Sequence, residues 1–330
     1  MIEAIKKFPA QFAYQAKIEN KKYFKKSQDF VVLGMGGSHL AADLLLAIKP
    51  EMNVHVHQDY GLPTWPLSKL KKYLIIANSY SGNTEEVISG LQLALKNKLN
   101  VLVIATGGKL IEIAKEKNLP YIQIPDWQIQ PRQAIGLNLR TLLVAMGENK
   151  MLQESFLLSK SLKASAQQAS GKKMAEQLFN RVPIIYASRQ NTSLAFTWKI
   201  KFNENTKIPA FYNVMPELNH NEMTGFDRNE STKKLSSNFS IIYLEDKNDH
   251  PGISKRFKVI KSLYRPKGDR PLGGKKEELG QISVTLRGQN RWQEIFSNML
   301  LADWTSFYLA KKYNIDPNPV PMVEKFKKMI

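Results

Sequence analysis

The sequence predicts an α/β chain of two doubly wound domains, each a parallel sheet flanked by helices. Three observations carry this expectation. Short apolar runs alternate with helical patterns between Phe30 and Met146, the rhythm of parallel strands joined by crossover helices. The earliest of these runs end in turns rich in glycine or hydroxyl residues. From Val182 onward the same order of strand, polar turn and helix returns in a looser form. A length of 330 residues suits two domains, taken as 1–150 and 151–330, with the polar helical connector Met151–Lys173 opening the second.

Element by element, Phe30–Leu33 reads as a strand that breaks at Gly34-Met35-Gly36-Gly37-Ser38. Leu40, Leu44, Leu45 and Ile48 then mark a helix that stops at Pro50. Val54–Gln58 alternates as a strand with His55 and His57 on one face; lacking a third ligand, they read as strand residues rather than a metal site. Leu74–Ala77 has buried-strand character and runs into the polar turn Asn78–Thr84. Val87, Ile88, Leu91 and Leu95 carry the next helix. Val101–Ala105, the turn Thr106-Gly107-Gly108, a helix over Leu110–Lys117 and a strand over Tyr121–Ile124 complete the series. Pro131-Arg132-Gln133-Ala134 leads into a helix through Met146. In the second half, Val182–Ala187 is a strand, Ser188–Ser193 a polar turn and Leu194–Phe202 a helix. Ser240–Leu244 and Lys258–Tyr264 read as further strands, and Arg265–Gly280 as a basic loop. Arg291–Tyr313 is a long, largely apolar helix, expected to be buried between domains or subunits. Prolines at 317, 319 and 321 stop it, and a short helix follows.

Composition excludes several classes of function. The chain is 43% hydrophobic and 23% charged, as a globular protein is, and it has no cysteine. Disulfides and thiolate chemistry are therefore excluded, and a reducing compartment is natural. Met1–Lys26 lacks the apolar core of a signal peptide, and no run approaches the ~20 apolar residues that cross a bilayer. The expectation is a cytoplasmic protein with no membrane partner. The formal charge of +19 has three readings: nucleic-acid binding, steering of a small anion, or a soluble lysine-rich surface. The lysines are scattered and no block alternates bases with aromatics, so the surface reading is preferred and no nucleic-acid partner is expected.

The turn Ser79–Thr84 offers Ser79, Ser81 and Thr84 as hydroxyls, Asn83 as an amide, and Gly82 where a backbone must come close to a ligand. At a helix start these groups suit an anion such as phosphate. The same residues also fit a plain capped helix, with Asn83 and Glu86 as the capping pair. Gly34–Ser38 lies at the same sheet edge, where ligands of such sheets sit. It fails the dinucleotide pattern G-x-G-x-x-G, because His39 holds the sixth position and Asp59 is a weak ribose acid. Arg132 falls near that edge too. The densest polar cluster is Phe202–Lys207 with Pro216–Glu222. It brings carboxylates and His220 together, the groups that acid–base work near neutral pH requires. A polar loop that caps helices would look alike.

These stretches together resemble the bifunctional phosphoglucose/phosphomannose isomerases, built from two sugar-isomerase (SIS) domains. Gly34-Met35-Gly36-Gly37-Ser38, Ser79–Glu86, Pro131-Arg132, Asn203-Glu204-Asn205, Pro216–Glu222 and Asp316-Pro317-Asn318-Pro319 carry the resemblance over nearly the whole chain. It implies an aldose–ketose isomerase of glucose 6-phosphate and fructose 6-phosphate, working as a homodimer. Ser79, Ser81 and Thr84 would hold the phosphate, with Gly37 and Ser38 closing the site. Glu204 would be the base that moves a proton between C1 and C2. His220, supplied by the partner subunit, would assist ring opening, and Arg132 would face the enediolate charge. Among the last lysines, Lys325 fits the ring-oxygen role best by spacing, with Lys327 and Lys328 close by. The resemblance implies mannose 6-phosphate as a further substrate, and Asn318 stands where the family commonly has the threonine linked to the mannose epimer. Such chemistry needs neither nucleotide nor metal, and no cofactor is expected. SIS-domain regulators that bind DNA place a helix-turn-helix first, for which the stretch before Phe30 is too short. Arabinose 5-phosphate isomerases pair one SIS domain with other modules.

Overall fold

The computed structural model describes residues 1–227, 231–264, 278–327 and 329. The chain divides into two compact units, Glu3–Lys163 and Ala164–Ile330 together with Met1–Ile2.

In the first unit five parallel strands form one sheet: β1 (Phe30–Leu33), β2 (Val54–His57), β3 (Leu74–Asn78), β4 (Asn100–Ala105) and β5 (Tyr121–Gln123). Their order is β2-β1-β3-β4-β5, with Leu33 beside Ala77 and Asn78 beside Ile104. Every residue of β1 and β3 is buried, as the central strands of a sheet covered on both faces must be. One face packs Val31, Leu33, Ile75, Ala77, Val101 and Val103 against the helices Glu85–Lys96 and Gly108–Glu116. The alternate residues, Val32, Leu74 and Ile76, are sealed on the other face. Helices Gly37–Ile48 and Ile135–Met146 pack together. His55 and His57 stand on edge strand β2, as read, with the His55 ring against Trp65 at 4.6 Å.

The second unit holds four parallel strands: β6 (Val182–Ser188), β7 (Phe211–Met215), β8 (Phe239–Glu245) and β9 (Gly280–Thr285), in the order β7-β6-β8-β9. Its core joins Ile184, Tyr186, Met215, Leu218, Ile241 and Tyr243 to Phe257 and Ile260. The long helix Arg291–Lys312 is covered within its own unit by Gln168–Leu178 and Thr192–Lys201. Gly171 permits the closest approach, since a Cβ there would lie 2.5 Å from Cβ of Trp304.

One predicted strand is a helix. Lys258–Leu263 belongs to the helix Pro251–Leu263, with Tyr264 at its end, and its start is capped by His250 Nδ1 accepting the Gly252 N–H at 3.0 Å. Proline in the first turn favours that start, and burial recurs at Phe257, Ile260 and Tyr264 with helical spacing. The exposed Val259 and Leu263 made the stretch look strand-like. Strands β7 and β9 were not anticipated. Of the predicted basic loop, residues 265–277 lie outside the described residues, and Gly280 opens β9.

The helical assignment separates two neighbouring substitutions. Phe257→Ala is expected to cost about 3–5 kcal/mol in urea unfolding. Val259→Ala is expected to stay within about 0.5 kcal/mol, as for an exposed position; a large loss at Val259 would contradict the helix.

Candidate active site

In the first sheet the chain leaves β1 towards β2 on one side, while β3 leads to β4 on the other. Loops therefore diverge at the carboxyl ends of β1 and β3, the place where such sheets bind ligands. Both predicted phosphate turns lie there. Gly37 opens the helix after β1, and a Cβ on it would stand 2.6 Å from the carbonyl carbon of Pro131 and 2.7 Å from N of Arg132. Only glycine lets that helix start rest on the Pro131–Arg132 backbone. Arg132 itself is buried.

Ser38 ties the two loops together. Its carbonyl accepts from Asn78 Nδ2 at 2.8 Å and from Asn138 Nδ2 at 3.3 Å, and its hydroxyl accepts the Tyr80 N–H at 2.9 Å. Asn78 Nδ2 also donates to Asn138 Oδ1 at 2.9 Å. Asn78 and Asn138 are buried, and neither stood out in the sequence; a polar residue at the end of an apolar strand was the only signal. Burial, then the nearby Asp126, raise the Tyr80 phenol to about 12, so it stays protonated.

The turn after β3 is held from within and from the next loop. Ser79 Oγ accepts the Gly82 N–H at 3.2 Å and shares a 2.7 Å hydrogen bond with Thr84 Oγ1. Buried Ser79 thus shapes the turn, while Ser81 is exposed and Thr84 half-buried. Gly82 has φ +74° and a Cβ there would fall 1.8 Å from the Gly107 carbonyl oxygen. The Asn83–Glu86 capping pair does not form. Asn83 Oδ1 instead accepts the Lys109 N–H at 2.9 Å, and the helix Glu85–Lys96 starts at Thr84 with no side-chain cap. The Asn83 amide thus braces the next loop instead of capping this helix.

In the second unit Glu204 sits in a π-turn, Phe202–Thr206, that ends the helix Thr192–Lys201. Wide turns of this kind insert a residue and are often found at functional positions. The neighbours are pinned: Asn203 Nδ2 donates to the Ile208 carbonyl at 3.0 Å, and Asn205 Nδ2 to Ser306 Oγ at 2.9 Å. Thr206 Oγ1 donates to the Ser306 carbonyl at 3.2 Å. Asn205 and Thr206 are buried and Glu204 half-buried. Sequence reasoning saw the polar cluster but not the turn.

His220 follows the carboxyl end of β7 and is exposed. Its loop is anchored by Glu222, which accepts from Tyr186 Oη at 2.7 Å and Asn213 Nδ2 at 2.6 Å. Burial, and then that carboxylate, drive the Tyr186 phenol far above its ordinary value. Glu222 thus anchors this loop as an acceptor. Asn318 donates to Asp316 Oδ1 from its backbone and its side chain, each at 2.9 Å. These hydrogen bonds, the backbone one first, hold Asp316 below the usual carboxylate range, with help from the Lys207 charge. Lys207 in turn donates to the Glu204 carbonyl. The Asp316–Asn318 segment and the Glu204 turn are therefore electrostatic neighbours through Lys207. Lys325 and Lys327 lie exposed in the helix Pro321–Lys327, and Lys328 is outside the described residues.

The second sheet repeats the divergence at β6 and β8 but fills it differently. Asp246 accepts from Arg291 Nη1 at 2.6 Å and Asn191 Nδ2 at 3.1 Å. Burial opposes its ionisation, yet the Asn248 N–H, Asn191 and Arg291 together keep it below the usual range. A carboxylate, not a hydroxyl turn, occupies this position.

Several known proteins are similar to the chain. Residues 167–330 match the family described as the bacterial phospho-glucose isomerase C-terminal SIS domain. The bifunctional phosphoglucose/phosphomannose isomerase of Caldicellulosiruptor bescii is 33% identical over 99% of this chain and 98% of its own length. That of Aquifex aeolicus is 30% identical over 90% and 88%. In structure, tagatose-6-phosphate ketose/aldose isomerase from Escherichia coli superposes with a TM-score of 0.65 at 15% identity, covering 96% of this chain and 93% of that one. This last likeness concerns the fold: two SIS-type α/β domains.

The Gly37 contact gives a direct test of the coupling between the loops. Gly37→Ala must push the helix start off the Pro131–Arg132 backbone, an overpacking worth about 1–3 kcal/mol in unfolding. Inorganic phosphate, titrated by calorimetry, is expected to bind about tenfold more weakly, and unchanged binding would show that the loops are not coupled.

Proposed function

Relatives 30–33% identical over most of their length and of this chain make it a member of the bifunctional phosphoglucose/phosphomannose isomerase family, and we propose the roles its residues play in that isomerase. The reaction is the interconversion of the aldose glucose 6-phosphate and the ketose fructose 6-phosphate through an enediolate. Mannose 6-phosphate is the further substrate that the family's name carries, and Asn318 is the residue whose amide would hold the water that admits it.

Binding begins with the anion. Ser81 and Thr84, with the amides of a turn shaped by Ser79 and Gly82, take the phosphate, and Gly37 and Ser38 complete the cradle. The positive end of the following helix favours the charge. Once the sugar is open, the Glu204 carboxylate removes the proton on C2 and the carbonyl electrons move to O1. The same carboxylic acid returns that proton to C1, while a proton passes from O2 to O1, so nothing is consumed. Arg132, a fixed cation, stabilises the negative oxygen between the two transfers. His220 of the partner subunit and Lys325 serve ring opening by moving the proton between the ring oxygen and the C1 hydroxyl. The homodimer is part of this reading; His220 is exposed on the isolated chain, as a residue serving a partner would be. A cytoplasmic location suits a chain without cysteine. Among the described residues no helix is long and apolar enough to cross a membrane.

The observation that best supports this reading is the Glu204 turn. Its neighbours are fixed on both sides while the carboxylate remains half-exposed. General bases typically contribute about 10²–10⁴-fold. Glu204→Gln is therefore expected to lower fructose 6-phosphate turnover by about that factor in a coupled assay, with substrate affinity within about twofold. Near-normal turnover in that variant would remove Glu204 from the role of base. The parent enzyme is expected to work equally well after treatment with a chelator.

A further inference from the structure

Beneath the Glu204 turn lies a charged pair that the reaction does not call on. Lys201 Nζ stands 2.8 Å from Asp303 Oδ1, with the two side chains only 1% and 5% exposed. Lys201 precedes Glu204 by three residues, and Asp303 is on the long helix Arg291–Lys312. One turn further along that helix, Ser306 accepts from Asn205 and donates its own hydroxyl to the Asp303 carbonyl at 3.1 Å. The Ser306 carbonyl receives Thr206. Asp303 and Ser306 therefore grip the chain at three residues, Lys201 just before the turn and Asn205 and Thr206 within it after Glu204.

We propose that Lys201, Asp303 and Ser306 are positioning residues that select the conformation of the Glu204 turn and so aim its carboxylate. The inference rests on Glu204 being the base. A buried ion pair is poorly explained by stability alone, because well-packed apolar residues of similar volume serve as well or better. What a pair of charges adds is direction: the ammonium and carboxylate must meet at one separation. A π-turn needs such a constraint, since its extra residue could be absorbed at neighbouring positions of the helix. With Lys201 held on one side and Asn205 and Thr206 on the other, the wide turn is confined to Phe202–Thr206. Displacing a catalytic group by about 1 Å can cost about 10²-fold in rate without weakening binding.

The decisive experiment replaces the pair by apolar residues, Lys201→Met with Asp303→Leu, beside Ser306→Ala and Glu204→Gln. Stability is read by urea unfolding, and kcat and KM are read with fructose 6-phosphate. The double variant is expected to unfold at the parent's urea midpoint or above it. Its kcat is expected to fall about 10²-fold with KM within about twofold. Ser306→Ala, which keeps the ion pair, is expected to lose about tenfold in kcat at constant KM. A merely structural pair would lower stability and leave kcat of the folded fraction intact. Parental kcat in either folded variant, with Glu204→Gln inactive, overturns the positioning role. An active Glu204→Gln overturns the base assignment itself, so the two failures are distinguishable.

Discussion

Three hydrogen bonds to Ser38 carry the geometry of the first unit's site. Its carbonyl takes the amides of Asn78 and Asn138, and its hydroxyl takes the backbone of Tyr80. Asn78 ends β3 and Ser38 lies in the first turn of the helix after β1, so these bonds join the two loops before any ligand arrives. Each contributes only about 0.5–1.5 kcal/mol net, but a buried group that loses its partner costs about 1–3 kcal/mol. The cluster therefore holds together as a unit. Gly37 passes the same register on to Pro131 and Arg132 by backbone contact. An anion bound at this edge meets a surface already formed.

The second unit keeps the winding and abandons the chemistry. At the divergence of β6 and β8, Asp246 and Arg291 satisfy one another where the first unit has hydroxyls and a glycine turn. A carboxylate there repels a phosphate, and the guanidinium that could attract one is already paired. On the proposed roles, what this unit contributes comes instead from the far end of the helix after β6, through Glu204, and from the loop after β7, through His220. On those proposed roles the repeated fold divides its labour, one copy for holding charge and the other for moving protons.

Much of this was legible because parallel sheets announce themselves. Phe30–Leu33, Leu74–Ala77 and Val182–Ala187 are uninterrupted apolar runs, and each proved to be a buried strand followed by the expected turn. Edge strands were harder to read. In β7 the polar Asn213 breaks the apolar signal, and β9 alternates too briefly to stand out. Lys258–Tyr264 misled in the opposite direction, because helix capping by His250 lies outside the window that looked strand-like. In the site, residue types were readable and partnerships were not. Nothing local ties Lys201 to Asp303 or Asn205 to Ser306, since each pair is about a hundred residues apart. Ser79 illustrates the same limit: a hydroxyl in a phosphate-like turn cannot be told by sequence from one that folds the turn.

The substrate's own shape explains why the two ends of this machinery are built differently. Its charge is on C6 and its reaction at C1 and C2, so phosphate contacts are much the same before and during proton transfer. Such contacts hold the sugar but by themselves accelerate nothing. Glu204 has a long side chain, and ordering it costs up to about 2 kcal/mol. Backbone freedom in an unusual turn would add to that cost at every turnover. Fixing the turn during folding removes the backbone share in advance, and only the side chain is left to be ordered by the substrate. On the proposed roles, rigidity is therefore needed most at the Glu204 turn. A hydroxyl turn around a phosphate can tolerate small displacements, because a doubly charged anion with three acceptor oxygens finds donors in more than one geometry.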